Sequence, residues 1–204
     1  MAILKSNFSK TNLELFDYLE LDLQSKLVLI RMGSNFNIRK ASFSNDLDTL
    51  IALVNENNGK DIYLNYLRLG GDKYDNKVKE FIDNAWVYEI EGQVIGCVAI
   101  GIPDEGDDML PEGWKGVECL TVHPSYQGQG IGTKLMDWVE GLGDPIMLAV
   151  YEPHERVKTF YRRRGYTEVS SVLLTTWIPP DKLVNPDVKL VIFKKDVRNL
   201  GDSI

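Results

Sequence analysis

Apolar and polar positions recur with two different periods along this chain, and the changes of period divide it into elements. Residues 36–41, FNIRKA, alternate as a strand does. The next stretch offers Ser44 or Asn45 as a cap, sets Leu47, Leu50, Ile51 and Val54 at helical spacing, and stops at Asn58-Gly59. A first helix is predicted there. Tyr63 to Leu69 and Lys77 to Asp83 predict further helix, interrupted by Gly70-Gly71. From Ala85 the period becomes that of strands: Trp86, Tyr88 and Ile90, a turn near Glu91-Gly92, then Val94 to Ile102 read as a hairpin.

Residues 116–124, GVECLTVHP, read as a strand ended by Pro124. A glycine-rich loop follows, then a helix with Ile131, Leu135, Val139 and Leu142 on one face, stopped by Gly141, Gly143 and Pro145. Ile146 to Val150 is a short buried strand, and Glu155 to Arg164 a helix closed by Gly165. Thr167 to Thr176 and Val188 to Lys194 are two more strands. The sum is a mixed α/β (α+β) architecture of about seven strands and about four helices. Residues 1–35 mix both periods and permit either a helix or an added strand, so they are set apart as an extension ahead of a domain over 36–204.

A chain of 204 residues can bury a core without metal or disulfide. No apolar run approaches the roughly 20 residues that span a bilayer, and MAILKSNFSK lacks a signal peptide's apolar stretch, so a cytoplasmic protein away from membranes is expected. Cys97 and Cys119 each sit inside an apolar strand-like run, which reads as reduced core thiols rather than a disulfide, nucleophile or metal site. The net charge of −7 disfavours nucleic acid and suits a cationic partner.

The candidate chemistry lies in Cys119 to Thr133, where a strand runs into a loop with glycines at 128, 130 and 132 and then into an amphipathic helix. Glycines let backbone N–H groups face a ligand, and a helix N-terminus adds unpaired donors, so the loop is a phosphate site in prospect. A GxxxxGK[ST] loop is missing, and a GxGxxG fingerprint fails at Thr133. The run Gln127-Gly128-Gln129-Gly130-Ile131-Gly132, after Leu120-Thr-Val-His-Pro124, resembles the pyrophosphate loop of the GNAT superfamily of N-acetyltransferases, [RQ]-x-x-G-x-[GA]. Phe160-Tyr161-Arg-Arg-Arg-Gly165-Tyr166 is similar to that family's FYxxxGF segment. One departure is His154, where members often carry Asn.

The resemblance implies a mostly antiparallel sheet splayed between the Leu120 and Leu148 strands, with acetyl-CoA as co-substrate and no metal. Backbone groups of Gln127, Gly128, Gln129, Gly130, Ile131, Gly132 and Thr133 would hold the pyrophosphate; Leu120, Thr121 and Val122 would pair with the pantetheine, which His154 also contacts. It implies an oxyanion site near the Val122 N–H and Tyr161 as proton donor to the leaving thiolate. Glu118 becomes the base, since alternation puts 118, 120 and 122 on one strand face. Lys134 and Arg162 to Arg164 are further candidates for the phosphates of CoA. On bare spacing, Glu118 reads equally as an exposed strand residue, Tyr161 as core, and His154 as a helix-start residue. The acceptor would be a small-molecule or peptide amine, walled by Tyr63 and Trp177 and attracted by Asp61, Asp72 or Asp181; a homodimer is compatible with this. The alternative function is a catalytically silent acyl-CoA sensor or interaction module, and a nucleotide-binding protein of another class is a third reading.

Overall fold

The computed structural model describes residues 36–57, 72–101, 110–176, 185 and 187–198. The chain divides into two compact units, 1–36 and 37–204, and the elements below belong to the second, with Phe36 opening the first strand. Its strands are β1 (Phe36–Lys40), β2 (Ala85–Ile90), β3 (Gln93–Gly101), β4 (Lys115–Val122), β5 (Ile146–Tyr151), β6 (Thr167–Leu173) and β7 (Lys189–Lys195). They form a seven-stranded sheet in the order β1-β2-β3-β4-β5-β7-β6. Four α-helices flank it among the described residues: α1 (Phe43–Asn57), α2 (Asp72–Asp83), α3 (Ile131–Glu140) and α4 (Glu155–Arg163). The predicted helix over Tyr63 to Leu69 lies outside the described residues.

β2–β3, β3–β4, β5–β7 and β6–β7 pair antiparallel. β4 and β5 run parallel, and their register ends after Lys115↔Ile146, Gly116↔Met147 and Val117↔Leu148. Beyond Val117 the two strands part, while β4 stays paired with β3 as far as Gly96↔Val122. The mostly antiparallel sheet, splayed between the strands of Leu120 and Leu148, is therefore present.

Opposed residues of an antiparallel ladder share a face, so the registers sort the sheet into two sides. Ala85, Val87, Cys97 and Ala99 pack with Leu50 and Leu53 of α1 and Val78 and Ile82 of α2. Gly96 and Val98 face the opposite side, where α3 presents buried Ile131, Leu135, Met136 and Val139. Trp86 and Trp138 stack there with centroids 4.1 Å apart. Burying each aliphatic side chain contributes about 1.5–3 kcal/mol, so these faces, more than intrinsic propensity, hold the helices in place.

Three local features differ from the periodic reading. α1 starts at Phe43, ahead of the predicted cap at Ser44 or Asn45, because the Ser42 carbonyl accepts from the N–H groups of Asn45 and Asp46 while the Ser42 N–H donates to Asp46 Oδ2 at 2.8 Å. β6 ends at Leu173, and residues 174–176 turn as a 3₁₀ helix that buries Leu174 against Val188 and Leu190. α3 ends at Glu140, which leaves Leu142 exposed rather than on its apolar face.

Candidate active site

At the end of β4 the chain makes a 3₁₀ turn, Pro124–Tyr126, and then enters the glycine loop. Gly128 and Gly130 sit at φ 77° and 81°, the left-handed region that side chains make costly, and Gly130 is the N-cap of α3. The N–H groups of residues 128 to 133 have no backbone acceptor among the described residues, and a Cβ on Gly128, Gly130 or Gly132 would meet nothing within 4 Å. Six successive donors thus border open space at the positive end of a helix dipole. The Gln127 side chain fixes the loop's base, donating to the Val122 carbonyl at 3.1 Å and to Asn57 Oδ1 at 2.7 Å. Gln129 turns back to the Ser125 carbonyl at 3.1 Å.

A cleft of about 720 Å³ lies beside this loop, with Thr133 on one side and Arg156, Thr159, Phe160 and Arg163 of α4 on the other. The predicted basic run splits here. Arg163 lines the cleft, whereas Arg162 pairs with Glu155 and Glu168. Arg164 also borders the cleft but pairs with Asp137 at 2.6 Å and Glu140 at 3.0 Å. Lys134 points to the sheet instead of toward a phosphate: its ammonium donates to the Tyr88 hydroxyl at 3.1 Å. Arg156 was not singled out by sequence, since only the tertiary placing of α4 beside the loop marks it.

The splay opens directly onto β4. The His123 N–H donates to the Ile95 carbonyl on β3 at 2.8 Å. Strand amides alternate in direction, so the Leu120 and Val122 N–H groups point the other way, into the gap that β5 has left. Thr121 faces α1 and α2, and its buried hydroxyl has no partner among the described residues. His154 is the N-cap of α4, exposed, with its ring edge-on to Tyr151 at 5.0 Å and no cap hydrogen bond from its side chain.

Tyr161 is 4% exposed and packs against Phe160, Tyr166 and Phe193, the last of which pairs with Leu148 on β5. Burial, and next the Cys119 thiol, push its phenol well above the ordinary tyrosine value. The Cys97 thiol is likewise held up by its neighbour Cys119 and by burial, and both cysteines are free. Among the described residues no group of three His, Cys, Asp or Glu could hold a metal ion.

Glu118 is exposed, and alternation misplaces it. Ala99 opposes Cys119 while Ile100 opposes Val117, so Glu118 is the extra residue of a β-bulge. Its carboxylate lies over Gly101, on the side of α1 and α2, away from Leu120 and Val122. The expectation of a shared face for 118, 120 and 122 is therefore corrected, and the physical cause is the bulge. Of the acceptor-site candidates, Tyr63, Trp177, Asp61 and Asp181 lie outside the described residues, as does the side chain of Asp72.

The comparisons agree with this geometry. Residues 82–168 match the family model of the acetyltransferase (GNAT) domain, which spans the hairpin, the bulged strand, the loop, α3, β5 and α4. Over that stretch the chain is similar to the GNAT acetyltransferase domain. It is similar to the peptidyl-lysine N-acetyltransferase YiaC of Escherichia coli, 30% identical over 46% of this chain and 60% of that protein. It is also similar to an uncharacterized N-acetyltransferase in the pepI 3' region of Lactobacillus delbrueckii subsp. lactis, 28% identical over 40% of this chain and 50% of the relative. The chain thus spans about half the length of the curated relatives it matches. In fold it resembles Naa50 of Arabidopsis thaliana, solved with the bisubstrate analogue CoA-Ac-MVNAL, at TM-score 0.57 and 17% identity over 79% of this chain and 99% of that one.

Proposed function

We propose that this chain transfers the acetyl group of acetyl-CoA to a primary amine of a small molecule or protein, by direct attack and without a covalent enzyme intermediate. The observation that carries the reading is the row of six amides at residues 128 to 133, without backbone acceptors, set at the mouth of a sheet that opens beside it. The amides suit a diphosphate. The Leu120 and Val122 N–H groups, turned into the gap, suit an extended amide-bearing arm as an added strand edge would, and the Val122 N–H suits a developing oxyanion. Arg156 and Arg163 add positive charge beside the cleft. His154 stands at the start of α4, where its ring can donate to the same arm.

The acceptor must arrive as a free base. An alkylamine of pKa about 10.4 is protonated at pH 7, so losing that proton costs about 4 to 5 kcal/mol. Glu118, exposed on the face of α1 and α2, takes the proton directly or through water as the C–N bond forms. The C–S bond then breaks with its electron pair on sulfur. The raised phenol of Tyr161 keeps its proton throughout the physiological range, and full transfer to a thiolate of pKa about 8.5 is uphill. Tyr161 therefore acts first as a hydrogen-bond donor that stabilises the departing thiolate. The net charge of −7 favours a cationic acceptor, and a lysine side chain, the acceptor in the name of the E. coli relative, has that chemistry.

The test is calorimetric titration with acetyl-CoA followed by thiol release with pooled polyamines, aminoglycosides and lysine peptides. Binding with acetyl transfer sustains the reading. Binding without transfer to any amine would instead identify a silent acyl-CoA sensor, and stabilisation by NAD or ATP but not CoA would remove both.

A further inference from the structure

A Cβ built on Gly101 would stand 2.1 Å from Oε1 of Glu118, 2.8 Å from its Cδ and 3.0 Å from its Cγ. No other described glycine comes this close to a side chain. Gly101 does not have positive φ, so its backbone does not require glycine. A glycine inside a strand also forfeits packing and chain entropy, and it marks a place where something must approach closely. Here the approaching group is a carboxylate from the adjacent strand.

The bulge explains how they meet. With Glu118 inserted between Val117 and Cys119, its side chain turns to the face of α1 and α2 and lies across the end of β3. Gly116, directly opposite Gly101, has no such neighbour: its Cβ would touch Leu110 Cδ2 at 3.4 Å and the Gly101 carbonyl at 3.8 Å, ordinary contacts. On the same face across the gap, Ala149 of β5 is exposed, so the carboxylate borders an opening.

We propose that Gly101 is a positioning residue. Its missing side chain is the cradle that holds the Glu118 carboxylate at the acceptor side of the splay, where it receives the proton of the attacking primary amine. The inference rests on the acetyl-transfer reading and deepens it. A base is effective only within hydrogen-bond reach of the proton it takes, and the rotamer that lies over the end of β3 is open only while residue 101 has no Cβ.

The decisive variant is Gly101→Ala, because the atom it displaces is the far end of a flexible side chain and the fold should survive. It is compared with Glu118→Gln, the double variant and Gly116→Ala, using acetyl-CoA and the fastest-reacting amine of the panel. Gly101→Ala is expected to keep its melting temperature within a few degrees and its acetyl-CoA Kd within about twofold. Its kcat/KM for the amine should fall about 10- to 100-fold at pH 7, and the deficit should shrink toward pH 9 as free amine accumulates. The double variant should be no slower than Glu118→Gln, and Gly116→Ala should match the parent. An unchanged rate in Gly101→Ala beside a slow Glu118→Gln would overturn the proposal alone, as would losses that multiply in the double variant. Acetyl-CoA binding with no amine turnover by the parent chain would overturn the acceptor chemistry itself and this role with it.

Discussion

Tyr161 and Glu118 approach the gap between β4 and β5 from opposite faces of the sheet. Tyr161 stands on the α3 and α4 side, against Phe193, where burial holds its phenol up. Glu118 lies on the α1 and α2 side over Gly101. A thioester entering from the cleft of α3 and α4 would therefore meet its amine from the other face, which separates the departing thiolate from the arriving base. Under the proposed acetyl transfer, the proton acceptor and the thiolate stabiliser would not compete for one space.

That separation makes Tyr161→Phe a clean variant. The hydroxyl makes no hydrogen bond among the described residues, so stability should hold within about 0.5 kcal/mol. Acetyl-CoA affinity should hold too, while kcat falls about 10- to 100-fold. Thiol release and a thermal melt on one preparation check both halves. A large loss of stability with kcat intact would mean that Tyr161 is only core.

Gly132→Ala should hold or raise stability and leave acetyl-CoA affinity intact. Gly132 has an ordinary helical φ and open space beyond it, so alanine should leave stability unchanged or raise it by up to about 1 kcal/mol. The loop pattern admits alanine at this place and a Cβ there meets nothing within 4 Å, so acetyl-CoA Kd should stay within about twofold. Calorimetry paired with urea unfolding reads the two terms separately.

Gly96→Ala tests the seat of α3. Its Cβ would lie 3.2 Å from the Thr121 carbonyl and 3.3 Å from Ile131 Cγ2, and the backbone on one side cannot yield cheaply. A loss of about 1 to 3 kcal/mol is expected in urea unfolding, the usual cost of overpacking.

Acid stability should depend on Asp46. Arg39 holds the Asp46 carboxyl below its ordinary range, through hydrogen bonds at 2.8 and 3.0 Å, against an opposing burial effect; the Ser42 N–H adds to the lowering. The unfolded chain then binds the extra proton, so this contribution is present above about pH 4 and fades as pH falls through the lower folded value. Asp46→Ala should cost about 1 to 3 kcal/mol at pH 7 and progressively less toward pH 3, read as the midpoint of urea unfolding against pH.

The sequence showed most of the elements because each carries its own signal. The glycine loop was legible for the same reason: alternate glycines before an amphipathic run have few other uses. Glu118 was legible as a residue but not as a position, since a bulge depends on the partner strand and leaves the alternation of GVECLTV looking regular. Arg163 could not be told from Arg162 and Arg164, because one run of like charges says nothing about which of its members has a carboxylate waiting on a neighbouring element.

What this chain's sequence determines by itself is local: the period of each segment, the turns at Gly92 and Gly165, and the donors that the 128 to 133 loop leaves unpaired. Tertiary structure alone decided where β4 and β5 part, which face Glu118 takes, and that Gly101 leaves it room. Those features arise from pairing and packing between residues far apart in the chain, and a one-residue shift in a ladder reverses a side chain's direction without altering any local pattern.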